Sequence, residues 1–109
     1  MILFLFFNPD CDLCREELKQ IQDCQTDFLQ SQIVFFSTVS TDIILRFLQK
    51  IDFTPTGNML FLSDENELLT DKMDVKTSPE IYIYRKGKLI KRFDGPVKTE
   101  TIIHYLSAE

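Results

Sequence analysis

The 109-residue sequence predicts an α/β fold, a three-layer α/β/α sandwich around a mixed sheet. Three observations predict it. Short apolar runs alternate with stretches of helical periodicity, which requires parallel crossovers. The last two strands are separated only by a Lys-Gly turn, which makes an antiparallel hairpin. The first apolar run, residues 2–7, is unbroken by polar residues, as in a strand covered on both faces.

The elements follow in order. After the strand over 2–7, Asn8-Pro9-Asp10 breaks the chain and a helix begins. Its apolar face is Leu18, Ile21, Cys24 or Gln25, and Phe28, with Arg15, Glu16, Lys19 and Gln20 opposite. Ile33 to Phe36 is a second strand. Ser40-Thr41-Asp42 offers cap residues for a second helix, whose apolar face is Ile43, Ile44, Phe47, Leu48 and Ile51. Thr54-Pro55-Thr56-Gly57 is a turn, and Met59 to Leu62 a third strand. Asp64 to Met73 is expected as a short helix with acidic residues in its first turn. Ile81 to Tyr84 and Leu89 to Phe93 form the hairpin, and Lys98 to Leu106 a closing helix with Ile102, Ile103 and Leu106 inward.

Composition narrows the function classes. The chain is 44% hydrophobic and 27% charged with a net charge of −5, so it lacks the basic footprint of a nucleic-acid-binding domain. Arg85-Lys86-Gly87-Lys88 with Lys91-Arg92 reads as the wet face of the hairpin. Three cysteines, an odd count, argue against a structural disulfide framework. The opening seven apolar residues are too short for a membrane span and carry neither the basic region nor the cleavage site of a signal peptide. A strand that starts at residue 1 leads us to expect a single domain over 1–109, cut from a longer protein.

Cys11-Asp12-Leu13-Cys14 carries the chemistry. It reads as a redox dithiol, half of a zinc site, or two neighbouring thiols. The pair falls where a strand ends and a helix begins, so free N–H groups and the helix dipole stabilise a thiolate on Cys11. Such a setting lowers a thiol from ~8.5 to as little as ~3.5–7.5. Cys14, one turn on, is within disulfide reach and serves as resolver. A zinc site needs about four ligands, and beyond this pair the chain offers only Cys24 and the distant His104. Cys24, ten residues past Cys14 on the same expected helix, would lie ~15 Å away; it reads as a core residue. Thr77-Ser78-Pro79 before the penultimate strand marks a special turn, since Pro is awkward inside a sheet.

With these residues the chain resembles the thioredoxin superfamily, and within it the TlpA- and ResA-like thiol–disulfide oxidoreductases (redoxin domains), a bacterial group. The matching stretches are Phe6-Phe7-Asn8-Pro9-Asp10-Cys11-Asp12-Leu13-Cys14-Arg15-Glu16-Glu17-Leu18, Thr77-Ser78-Pro79-Glu80-Ile81-Tyr82-Ile83-Tyr84 and Lys86-Gly87-Lys88-Leu89-Ile90-Lys91-Arg92-Phe93-Asp94-Gly95. The strand and helix over 59–73 are similar to the TlpA-like insertion, while the superfamily's usual N-terminal strand and helix are lacking.

The resemblance implies a thioredoxin-like fold in which Cys11 and Cys14 are the catalytic pair. Pro79 would be a cis-proline beside them, and the Ser78 backbone would pair with an extended substrate segment. Glu17 matches an acidic position that tunes thiol ionisation, against the plain reading of a solvated helix carboxylate. It also implies protein thiol or disulfide substrates, no cofactor, no metal, and an extracytoplasmic setting. Three departures stand out. Asp10 replaces the usual Trp, Asp-Leu replaces a Pro-containing pair, and Leu5 replaces a buried Asp used in proton transfer. Asp10 and Asp12 would disfavour the Cys11 thiolate by repulsion, offset in part by Arg15, giving a reducing or slow dithiol.

Other readings fit less well. A peroxiredoxin would need Pro and Thr or Ser at fixed spacing before its cysteine. A glutaredoxin would need basic residues around the pair. The alternative of a different class is a redox-inactive thioredoxin-like interaction domain of a larger protein.

Overall fold

The computed structural model describes residues 1–107. The strands are β1 (Ile2–Phe6), β2 (Gln32–Ser37), β3 (Met59–Ser63), β4 (Glu80–Arg85) and β5 (Lys88–Asp94). The helices are α1 (Asp12–Asp23), α2 (Thr41–Lys50), α3 (Leu68–Lys72) and α4 (Thr99–Ser107). The sheet order is β3-β2-β1-β4-β5. β1, β2 and β3 run parallel, while β4 is antiparallel to β1 and β5 to β4.

Strand alternation separates two faces. Leu3 and Leu5 pair with Ile83 and Ile81 on one side and with Ile33 and Phe35 on the other; all six are fully buried. Leu18 and Ile21 of α1, Ile44, Phe47 and Leu48 of α2, and Ile102 of α4 join the same core. Burying each such side chain contributes about 1.5–3 kcal/mol. Aromatic rings fill the space toward β3: Phe35 stacks on Phe61 at 4.4 Å between centroids, and Phe7 on Phe47 at 5.4 Å. On the opposite face lie Phe4, Phe6, Tyr82 and Tyr84, beside which the short α3 packs.

Three local expectations are corrected. The helix expected over 64–73 is only Leu68–Lys72. Asp64 stands outside it and accepts the N–H groups of Leu69 and Thr70 at 3.2 and 2.7 Å, while Glu67 in left-handed conformation (φ 57°) interrupts the run. The first helix does not continue to Phe28. It ends at Asp23, and Gln25–Phe28 is a 3₁₀ turn that still buries Phe28. The hairpin face is not uniformly wet. A register shift between Ile83 and Tyr84 leaves Leu89 and Ile90 both exposed, and Arg92 turns inward onto Glu80.

Candidate active site

β1 carries the chain to the rim of the sheet, where Asn8 ends it. The Asn8 side chain accepts the Asp10 N–H at 3.0 Å, and the Asn8 carbonyl accepts that of Cys11 at 3.1 Å. This turn delivers Cys11 to the N-cap of α1 in extended conformation. Its sulfur occupies the place a capping Ser or Asp oxygen would take, accepting the Cys14 N–H at 3.2 Å. Cys14 is fully buried one turn along, whereas Cys11 is half-buried. Both thiols are free.

Across the sheet, the segment before β4 meets both sulfurs. The Cys11 thiol lies 3.4 Å from the Ser78 carbonyl, and the Cys14 sulfur lies 2.9 Å from the Ser78 hydroxyl. The Asn8 N–H points to the Cys14 sulfur at 3.5 Å. The Ser78–Pro79 peptide bond is cis, and Pro79 is buried. Cys11, Cys14 and Ser78 thus form one cluster.

The two thiols ionise differently. Burial pushes Cys11 up, but hydrogen bonds from Cys14, from Ser78 and from the Leu13 N–H outweigh it, and Cys11 lies below the ordinary thiol value. Cys14 is pushed up to about 12, mainly by burial and further by the neighbouring Cys11 charge. The repulsion expected from Asp10 and Asp12 does not decide the matter. Both carboxylates are exposed, and Asp12 is ion-paired with Arg15, whose guanidinium also donates to the Pro9 carbonyl at 3.3 Å.

Glu17 is buried, which corrects the solvated reading. One carboxylate oxygen accepts the Val97 N–H at 2.8 Å, and the other has no partner. Burial is the first cause that raises its pKa to about 7, with Glu16 adding repulsion. It lies one turn beyond Cys14 and has no hydrogen bond to either sulfur. Cys24 caps the C-terminus of α1, away from the pair, and His104 is exposed on α4.

The sequence reading missed Glu80, Tyr82 and Arg92. Glu80, directly after Pro79, is fully buried. Its carboxylate accepts the Arg92 guanidinium at 2.9 Å and the Tyr82 hydroxyl. Hydrogen bonds to Tyr82, Lys76 and Thr77, with the charge of Arg92, outweigh burial and hold it below the usual carboxylate range. The alternation Glu80, Tyr82, Tyr84 and the facing of Arg92 to Tyr82 across the hairpin are the signals that could have found them.

A cleft of about 600 Å³ lies at the other end of β1, lined by Met1, Ile2, Phe4, Leu69, Met73 and Tyr84 among others. The cysteines follow the opposite, C-terminal end of β1, and none of them lines this cleft. Among the described residues, no helix is long and apolar enough to cross a membrane, and no group of three or more His, Cys, Asp or Glu could hold a metal ion.

No family model and no curated protein matches the chain. Solved structures do match. StoA from Bacillus subtilis is 18% identical with a TM-score of 0.81, over 97% of this chain and 81% of that one. The architecture is thioredoxin-like. A secreted Mycobacterium tuberculosis disulfide oxidoreductase, homologous to E. coli DsbE, is 17% identical with a TM-score of 0.78, over 99% and 81% of the two chains. The Xanthomonas campestris bacterioferritin comigratory protein, described for alkyl peroxide reduction, is 16% identical with a TM-score of 0.79, over 99% and 79%. At these identities the likeness establishes the thioredoxin-like fold, with Cys11 at the start of α1 and Ser78-Pro79 leading into β4.

Proposed function

We propose that the chain is a thiol–disulfide oxidoreductase acting on protein substrates through the Cys11–Cys14 pair. The single observation that carries this reading is the asymmetry of the pair. Cys11 is half-buried at a helix N-cap with a lowered pKa, while Cys14 is buried and held as a thiol, with both touching Ser78.

The chemistry needs no further group. The Cys11 thiolate attacks one sulfur of a substrate disulfide, forming a mixed disulfide and releasing the other sulfur as a thiolate that takes a proton. Once Cys11 is covalently bound its negative charge is gone, so one cause of the high Cys14 pKa is removed. Cys14 then loses its proton and attacks the Cys11 sulfur. The Cys11–Cys14 disulfide forms, the second substrate thiol leaves, and two electrons and two protons have passed to the substrate. Run backwards, the same steps oxidise a dithiol; the relative potentials set the direction. The substrate segment would lie extended beside Ser78-Pro79. Asp10 and Asp12 line the approach to Cys11, and Glu17 acts on the pair through its charge.

The test is trapping. Cys14→Ser incubated with a disulfide-containing protein such as insulin should accumulate a mixed disulfide at Cys11, whereas Cys11→Ser should give none. The absence of any adduct, with no acceleration of insulin reduction by the unmodified chain, supports the interaction-domain reading instead.

A further inference from the structure

We propose that Glu80 is a positioning residue for the dithiol, holding Ser78 against the two sulfurs through the backbone of residues 74–78. The inference rests on the redox reading of Cys11 and Cys14, but its test reads sulfur ionisation and not turnover.

The carboxylate of Glu80 is the hub on which this segment folds. One oxygen accepts the Thr77 N–H at 3.2 Å and the Lys76 N–H at 3.3 Å. The Thr77 hydroxyl lies 3.1 Å from that oxygen and 3.1 Å from the Pro79 carbonyl, and it accepts the Gly95 N–H at 3.0 Å. The other oxygen receives Tyr82 from β4 and Arg92 from β5. Arg92 spends a second bond on the same segment, donating to the Asp74 carbonyl at 2.7 Å, and a third on Asp94 at 3.2 Å. The segment is therefore anchored at 74, 76 and 77, immediately before the residue that touches both sulfurs.

A buried carboxylate costs several kcal/mol unless its lone pairs are filled. Here they are filled by the backbone that leads to Ser78. An apolar side chain at position 80 would suit the strand but leave the Lys76 and Thr77 N–H groups without this acceptor. The sheet register adds a second link. Glu80 pairs with Phe6, the last residue of β1, two residues before Asn8, whose N–H reaches the Cys14 sulfur. Glu80 thus stands between the two segments that contact the pair.

Glutamine at position 80 keeps the shape but offers one acceptor in place of two. The Tyr82 and Arg92 donors then compete with the Lys76 and Thr77 N–H groups for the amide oxygen. The segment loosens, and the Ser78 hydroxyl loses its fixed place beside the two sulfurs. The Ser78 side chain is one of the causes that lower Cys11, and it offsets part of the rise at Cys14, so Cys11 should become less ionised. The charged groups around Cys11 itself, Asp10, Asp12 and Arg15, are untouched by the change.

The experiment is the pH profile of iodoacetamide alkylation at Cys11, resolved by peptide mass spectrometry. It compares the unaltered chain, Glu80→Gln, Ser78→Ala and the double variant. Glu80→Gln should lower the alkylation rate at pH 7 about 3- to 10-fold, by moving the profile to higher pH. In the Ser78→Ala background the same substitution should add less than half of that effect, because the two residues act in one chain of contacts. Should Glu80→Gln fail to fold, Thr77→Val removes the hydroxyl that lies 3.1 Å from both the Glu80 carboxylate and the Pro79 carbonyl while keeping the carboxylate, and about a 2-fold loss in the same direction is expected. An unshifted profile in a folded variant overturns the proposal, as does an undiminished effect in the Ser78→Ala background. A shifted profile in a chain whose cysteines never form a disulfide upholds the role of Glu80 while the oxidoreductase reading fails.

Discussion

The hydroxyl of Ser78 lies 2.9 Å from the sulfur of Cys14, although the two residues are 64 positions apart in the chain. That contact joins the start of α1 to the start of β4 and closes the site. It is also the sole side-chain hydroxyl on the resolving thiol among the described contacts, which gives it a measurable consequence. Ser78→Ala removes one hydrogen bond of about 0.5–1.5 kcal/mol. Resolution of the mixed disulfide by Cys14 should slow about 2- to 10-fold, measured by quenching the reaction in acid and counting the mixed disulfide over time. A rate equal to that of the unaltered chain would remove Ser78 from the account.

The two thiols should be separable by reactivity alone. Cys11 lies below the ordinary thiol value and Cys14 near 12. At pH 7, limited iodoacetamide should therefore modify Cys11 at least 10-fold faster than Cys14, as read from the labelled peptides. Equal labelling would contradict the assignment of nucleophile and resolver.

Glu17 should give stability a specific pH dependence. Its folded pKa, about 7, is raised above the ordinary value of 4.5, so the folded chain holds a proton that the unfolded chain has released. Stability then falls as pH rises from about 4.5 to about 7 and is flat above that, by up to ~3 kcal/mol. Glu17→Gln removes the ionisation and supplies a neutral group at the oxygen without a partner. Denaturant unfolding at pH 5 and pH 8 should show the slope in the unaltered chain and its loss in the variant.

The core makes a plainer prediction. Phe35 is fully buried and stacked on Phe61. Phe35→Ala should cost about 3–5 kcal/mol in denaturant unfolding, a large share of the roughly 5–15 kcal/mol that holds an ordinary domain folded.

Much of this arrangement is legible in the sequence because its signals are local. The apolar run 2–7 is a strand wherever it is placed, Cys11-Asp12-Leu13-Cys14 follows a chain break, and a Lys-Gly turn between two apolar runs makes a hairpin. The helix over 64–73 was less legible. Its acidic first turn imitates a helix start, yet the Asp64 carboxylate caps from outside and Glu67 adopts a left-handed conformation. Cys24 shows the same limit: the spacing to Phe28 continues the helical period, but the chain tightens to a 3₁₀ turn that buries the same ring. The Glu80–Arg92 pair escaped because charged residues on strands read as solvated. Burial of that face depends on Tyr82 and on the segment 74–77, which periodicity cannot place. Glu17 was legible as a candidate through the resemblance, but its burial was not, since the Val97 N–H that holds it lies 80 residues on.

The most direct test of the central claim is the reduction potential of the Cys11–Cys14 pair, measured by equilibration with defined ratios of reduced and oxidised glutathione and trapping of free thiols. A reversible two-electron couple between about −120 and −270 mV is the predicted result. A pair that never forms an intramolecular disulfide, at any ratio, would contradict the oxidoreductase reading.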